Sequence, residues 1–575
     1  MSADVSMTTT ARRRFRRLAA GLVGAAFAVP FVAAPVSATV SHAQIQGSGS
    51  SWSSNAINQW VADVEPNGLQ VIFTASGSAQ GRKDFAYQTT DFAVSDIGYL
   101  GRDPVTNDVD TSQGRAYAYL PVVAGGTSFP YQILVGGKLV RNLRLSGDSL
   151  AKIFTNKITN WADPQITQDN NGHQLPSLPI IPVVHSEGSG STAQFTRYLA
   201  KEFPAAWKAF SGAAEQTEYF PRAGSQIAQN GSDGVINFLT SKAGNGSIGY
   251  DEYSYALSKN YPVAKIENVA GYFTAPTQYN TAVALTSAKI NTDTNPDHCP
   301  ALGFNTKPCY LLQNLDQVYV NGDKRTYPLS SYSYMIIPTA ADDSRMTTAK
   351  RQTIADFLYY SVCQGQAEMG PIGYSPLPIN LVQASFNQVA TLKQADPNVD
   401  LTKRDVSTCH NPTFVAGQPK RNYLAEIAPL PPACDKAGAG PCTGSEGLQN
   451  GNPTGTGRPG GSRGTATGTG GTGGTTGATS HTTGTGSATT GASGAAGTGT
   501  VDPVTGLAQG GTSAAGGAGT TTGAEPVNVP TALTSRSLGA SSGVLGVWAA
   551  VLLVAAIVAP PFIAARLRAR AGDAP

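Results

Sequence analysis

Charge is scarce in this chain of 575 residues: Asp, Glu, Lys and Arg together make up 13% of it, about half the usual share. The formal net charge of +3 becomes −1 once the first 43 residues, with Asp4 and Arg12, Arg13, Arg14, Arg16 and Arg17, are set aside. A nearly neutral chain has no electrostatic footprint for nucleic acid, and that class of partner is excluded. Cysteine is sparse too. There are six, none before Cys299, so no cysteine is available to carry a lipid at a mature N-terminus. No Cys-x-x-Cys pair and no clustered histidine suggests a metal. A strand–helix Gly-x-Ser-x-Gly elbow and a cofactor fingerprint are also missing. The one tempting nucleophile–base pair, His185 and Ser186, consists of strand neighbours that point to opposite faces. The sequence therefore reads as a binding protein and not an enzyme, with no cofactor and no metal.

What is abundant is glycine, 65 residues, and its distribution divides the chain. Residues 1–43 carry an arginine cluster, an apolar run from Leu18 to Ala34 and Ser41-His-Ala43: the basic, hydrophobic and small-x-small parts of a secretory signal peptide, with Ala38 as a second cleavage point. Residues 432–538 dissolve into Gly, Thr, Ser and Ala, which cannot bury apolar surface and so read as a flexible tether. As a Gly-rich coil of roughly 100 residues it would span about 55 Å. Residues 543–565 are almost wholly apolar, long enough to cross a bilayer of about 30 Å. Arg566, Arg568 and Arg570 in the tail 566–575 place that tail in the cytoplasm by the positive-inside rule. The expectation is a chain exported by its signal peptide, anchored in the plasma membrane by its C-terminal helix, with the binding domain outside the cell.

The cysteines suit an oxidising location. Pairing near neighbours gives Cys299–Cys309 and Cys434–Cys442 and leaves Cys363 for Cys409, one of 15 possible pairings.

Between the ends, strands alternate with helices. Leu69–Thr74 and Ile180–Val184 read as strands; 191–203, 233–240 and 347–362 have helical spacing of apolar residues. The class is α/β. Trp60, Trp161 and the aromatic run from Tyr250 to Tyr255 read as core. Three Gly/Ser turns stand at strand–helix junctions: Gly47-Ser-Gly-Ser-Ser-Trp52, Ala75-Ser-Gly-Ser-Ala-Gln-Gly81 and Ser186-Glu-Gly-Ser-Gly-Ser-Thr192. Glycine lets bare N–H groups approach a ligand, serine adds a hydroxyl, and a helix N-terminus adds about half a positive charge. One such turn is an ordinary cap; three make a site for a small oxyanion. Asp96, at the end of the strand-like run Asp91-Phe-Ala-Val-Ser-Asp96, would accept a proton from the guest. It would thereby choose phosphate over sulfate, which has no proton to give.

These motifs, with Pro121-Val-Val-Ala-Gly-Gly126 and Leu145–Phe154 before the third turn and Gly231–Ile236, Gly246–Tyr250 and Tyr327–Ser330 after it, resemble the phosphate-binding protein of bacterial phosphate ABC transporters. The resemblance implies a type II periplasmic-binding-protein fold, with two lobes and a hinged ligand cleft. Lobe 1 would hold residues 44–124 and 321–431, lobe 2 residues 125–320, with the chain crossing near Ala124 and returning near Asn321. It implies a ligand set of Ser51 (hydroxyl and N–H), Trp52 (N–H), Ser78, Asp96, Ser189, Gly190 and Ser191. At one place the chain departs from the family: His185, followed by Glu187, stands where the family has an arginine held by an acid two residues on, so a titratable ring replaces a permanent charge. Arg82 and Lys83 are the alternative sources of that charge. The implied function is capture of inorganic phosphate or a similar oxyanion at the cell surface for uptake by an ABC permease. The alternative is a surface interaction or sensory module that reuses the fold without transport.

Overall fold

The computed structural model describes residues 41–442, apart from Lys403 and Pro419. The expected signal peptide, tether, membrane helix (543–565) and tail (566–575) lie outside the described residues, except for 41–43 and 432–442. Among the described residues no helix is long and apolar enough to cross a membrane.

The elements that position the site are β1 (Ile45–Gly49), α1 (Ser54–Val64), β2 (Val71–Thr74), α2 (Ser78–Ala86), β3 (Phe92–Ser95) and β4 (Tyr117–Ser128). There follow β5 (Ile181–His185), α3 (Gly190–Glu202), β6 (Ile227–Gln229), α4 (Gly231–Leu239), β7 (Ser247–Gly249) and β8 (Asp251–Glu252). Last come β9 (Ser330–Pro338), α5 (Thr348–Val362) and α6 (Ile379–Ala395). The strands and helices expected from the sequence all form, with shifts of a few residues at their ends.

Lobe 1 is built on a six-stranded sheet in the order β8-β4-β9-β3-β1-β2. Strand β1 runs parallel to β2 and β3, whereas β9 is antiparallel to β3 and β4. Every residue of β3, β4 and β9 is buried, as expected of strands covered by helices on both faces. Lobe 2 holds a smaller parallel sheet, β6-β5-β7. In both sheets the parallel strands deliver their C-terminal ends, and the turns that follow them, to the boundary between the lobes. Ligands bind there in open α/β sheets.

Two boundaries differ from the sequence reading, both at the ends of the folded part, while two long strands run beside the expected crossings. Strand β4 runs in the first sheet through Ser128, and β9 enters it at Ser330. The two strands pair from Ser330↔Gly126 to Pro338↔Tyr117. The folded part also runs past 431. Cys434–Cys442 is bonded, Lys265 Nζ lies 2.6 Å from Asp435 Oδ2, and Arg144 Nη1 donates to the Cys434 carbonyl at 2.9 Å. At the other end, His42 Nε2 lies 2.8 Å from Asp356 and the Ala43 N–H donates to Thr353 Oγ1 at 3.1 Å. Residues assigned to the leader thus pack on α5.

The cysteines pair as their spacing suggested, Cys299–Cys309, Cys363–Cys409 and Cys434–Cys442. Trp60, Trp161, Tyr250, Tyr253 and Tyr255 are buried, which agrees with their reading as core.

Candidate functional site

Asp96 closes β3 and is 2% exposed. A carboxylate so placed is costly unless its oxygens receive hydrogen bonds. Here they do, from serine alone. Ser50 Oγ donates to Oδ1 at 2.7 Å and Oδ2 at 2.8 Å, Ser333 Oγ donates to Oδ1 at 2.9 Å, and Ser78 Oγ reaches Oδ2 at 3.2 Å. Burial pushes the Asp96 carboxyl above its usual range, and the three hydroxyls, with the Arg82 charge behind them, pull it part of the way back.

Ser78 opens α2 after Gly77, whose φ of +94° is one that a side chain rarely adopts. Lobe 2 meets this corner with the start of α3. A Cβ on Gly190 would stand 2.4 Å from both Asp96 Oδ2 and Ser78 Oγ, so the glycine lets the helix N-terminus touch the carboxylate. Ser189 caps that helix by accepting the Thr192 N–H at 3.3 Å, a contact worth about 1 kcal/mol. Ser191 is buried in its first turn. The third corner is Ser51, whose Oγ accepts the Ser232 N–H at the start of α4 and contacts the Ser232 hydroxyl, each at 3.1 Å. Two tyrosines hold the backbone here: Tyr255 OH donates to the Ser51 carbonyl and Tyr374 OH to the Trp52 carbonyl, each at 2.6 Å.

The structure thus brings Ser78, Asp96 and Gly190 into direct contact, with Ser51 and Trp52 on the adjoining turn after β1 and Ser189 and Ser191 flanking Gly190. His185 is placed differently. Its ring is buried; Nδ1 lies 2.7 Å from Glu187 Oε1 and Nε2 lies 3.3 Å from the Tyr250 carbonyl. Both partners are acceptors, so a ring protonated at both nitrogens satisfies both contacts. Burial works to lower its pKa, but the Glu187 carboxylate outweighs burial and raises it. Burial likewise opposes ionisation of Glu187, and His185 together with the Gly231 N–H (3.0 Å from Oε2) brings its pKa below the usual value. Both His185 N–H groups are committed inside lobe 2, which distinguishes it from a guanidinium with donors to spare.

Arg82 is fully buried and also committed. Nε donates to Asp110 at 3.0 Å, Nη1 to Ser95 Oγ at 2.8 Å, and Nη2 pairs with Glu218 of lobe 2. It fastens the lobes and supplies charge beneath Asp96.

The sequence reading missed Ser50, Ser333 and Ser232. Ser50 sits within a motif that was recognised, but nothing in its spacing separates it from Ser51. Ser333 lies 237 positions from Asp96, and only the β3–β9 pairing brings it near. Among the described residues no cluster of His, Cys, Asp and Glu could hold a metal ion.

Comparison with known proteins assigns the chain to a family. The model of the PBP superfamily domain matches residues 35–364. The phosphate-binding protein PstS 2 of Mycobacterium tuberculosis is 30% identical over 341 residues, 58% of this chain and 83% of that protein. The phosphate-binding protein PstS of Methanocaldococcus jannaschii is 29% identical over 364 residues, 61% of this chain and 86% of that protein. A solved structure, the ancestral soluble variant of the human phosphate binding protein, aligns with 60% of this chain and 93% of its own at 19% identity, with a TM-score of 0.43. The chain belongs to the PBP superfamily and, within it, to the family of the PstS phosphate-binding proteins.

Proposed function

We propose that this protein captures inorganic phosphate between its lobes and presents it at the cell surface for uptake by an ABC permease. The observation that carries this reading is Asp96, a buried carboxylate whose oxygens meet serine hydroxyls while a helix N-terminus of the other lobe presses on it. Such a cage favours a tetrahedral anion through hydroxyls, amides and the helix dipole. Its one negative group accepts a hydrogen bond only from a guest that still carries a proton, which phosphate does and sulfate does not.

The distances assign separate tasks to the serines. Ser50 and Ser333, at 2.7–2.9 Å, hold the carboxylate in place. Ser78, at 3.2 Å, makes a long bond that is inexpensive to redirect toward an anion. Ser51 receives hydrogen bonds at its oxygen from Ser232 and turns its own proton to the guest. The N–H groups of Trp52, Gly190 and Ser191 and the hydroxyl of Ser189 complete the set. His185 acts through its charge from behind the third turn. Hinge closure brings the three turns together and excludes water. The tether and the apolar segment 543–565 fit a domain held outside the membrane by a C-terminal anchor.

Isothermal titration of the full chain tests the proposal. Phosphate is expected to bind with saturation at one site, and sulfate about 100-fold or more weakly, the ratio that one lost charge-assisted hydrogen bond of up to about 3 kcal/mol supports. A chain that binds no phosphate at any pH from about 5 to 8 would refute it, and would favour a surface module that has kept the fold and lost the ligand.

A further inference from the structure

A cavity of about 430 Å³ opens along the segment 96–100. Asp96 stands at its edge, but none of Ser50, Ser51, Ser78 or Ser189 lines it, so it adjoins the cage at that one residue. Its walls come from the segment following β3, one face of α3, the stretch 214–216, Tyr334 of β9, residues 302–305 within the Cys299–Cys309 loop and residues 312–316 just after it. The volume falls within the range of about 300–1,000 Å³ typical of small-molecule sites.

Asp96 is held by its serines, and the other charged groups in the walls are paired or exposed. Arg197 Nη2 lies 2.6 Å from Asp316 Oδ1 and Lys201 Nζ 3.3 Å from Asp316 Oδ2. Arg102 donates to the Asn107 carbonyl, and Glu215 is exposed to solvent. An ionic guest would have to break these pairs. Side-chain amides make up most of what remains: Gln194, Gln216, Asn305, Gln313 and Asn314. Of these, Gln313 is the informative one. Its Nε2 and Oε1 are both shielded from solvent, and neither has a hydrogen-bond partner among the described residues. A buried amide left this way costs about 1–3 kcal/mol, and such groups are rare in native proteins. Tyr99, Phe304 and Tyr334 add ring surface to the same walls.

A primary amide places one donor beside one acceptor, the complement of two adjacent hydroxyls, one accepting and one donating. Amides around the rim with aromatic surface between them suit a compact ring bearing hydroxyls at its edge and C–H groups on its faces. We propose that this cavity is a second ligand site, for a neutral sugar of one or two rings, held by the Gln313 amide. The proposal does not rest on phosphate binding.

Titration calorimetry of the full chain with D-glucose, D-galactose and maltose, each alongside a phosphate titration, tests it. At least one sugar is expected to bind with saturation. Gln313→Leu is expected to weaken that sugar tenfold or more, with phosphate affinity within twofold and thermal stability equal or higher, because the leucine leaves no amide unpaired. Gln216→Ala, which changes a half-buried wall residue, is expected to weaken the same sugar if the leucine variant fails to fold. No saturable binding of any of the three sugars up to about 50 mM, well above the millimolar regime of weak specific sites, would overturn the proposal. So would unchanged sugar affinity in the variants. A chain that binds a sugar and no phosphate would refute the phosphate reading and leave this one standing.

Discussion

Gly190→Ala adds a single methyl group where the two lobes touch. The new Cβ would stand 2.4 Å from Asp96 Oδ2, 2.4 Å from Ser78 Oγ and 2.7 Å from Asp96 Cβ, whereas ordinary contact begins near 3.4 Å. The neighbours cannot yield, because Ser50 and Ser333 hold the carboxylate from the other side. The lobes must therefore part by about 1 Å, the difference between those distances. A gap of that size lengthens every hydrogen bond that a shared anion makes across the cleft. Losing one such bond to a charged group costs about 1.5–3 kcal/mol, so phosphate affinity is expected to fall about 10- to 100-fold. Folding should not suffer. Gly190 has a helical position without positive φ, and alanine there is neutral or favourable by up to about 1 kcal/mol. Titration calorimetry reads the first effect and a thermal melt the second. Wild-type phosphate affinity in this variant would refute the claim that the start of α3 and Asp96 clamp one ligand between them.

Ser333→Ala removes a 2.9 Å donor from a buried carboxylate; a denaturant melt is expected to show a loss of about 1–3 kcal/mol, and no loss would mean that Ser333 does not hold Asp96. Arg82→Met leaves Asp110 and the buried Glu218 without their partner, and is expected to cost about 3–5 kcal/mol; a change under about 1 kcal/mol would show that the triad is not what fastens the lobes. His185→Arg tests the titratable replacement. Since the His185 pKa is raised, its stabilising charge is present in full below about pH 6.5 and is lost as pH climbs through the raised value. Glu187 then faces a neutral ring. The arginine variant keeps its charge, so its phosphate affinity relative to wild type should grow as pH rises beyond that point; a flat ratio would contradict the role given to the imidazolium.

Much of the site was legible because its chemistry is local. The three Gly/Ser turns, Asp96 at a strand end and the helices after Ser189 and Gly77 are each written in a few consecutive residues, and the structure assembles them around one point. The disulfides followed from short loops. What could not be read was set by pairing at long range. Ser333 reaches Asp96 only through the register of β9 against β3. The composition of 432–442 gave no sign that Asp435 would meet Lys265. His185 was visible as a departure from the family, but its two N–H groups are committed to Glu187 and to a carbonyl 65 residues away, which no local pattern encodes.

The account turns on a carboxylate that reads the proton on its guest, and Asp96→Asn addresses that directly. The amide keeps the shape of the side chain and removes the charge that excludes a fully ionised anion. The measurement is the ratio of phosphate to sulfate affinity, by titration calorimetry, in the variant and the wild-type chain at one pH. The account predicts that phosphate weakens about 10- to 100-fold, the loss of one charge-assisted bond, while sulfate holds or gains, so that the ratio collapses. An unchanged ratio would show that discrimination does not reside in Asp96 and would contradict the central claim.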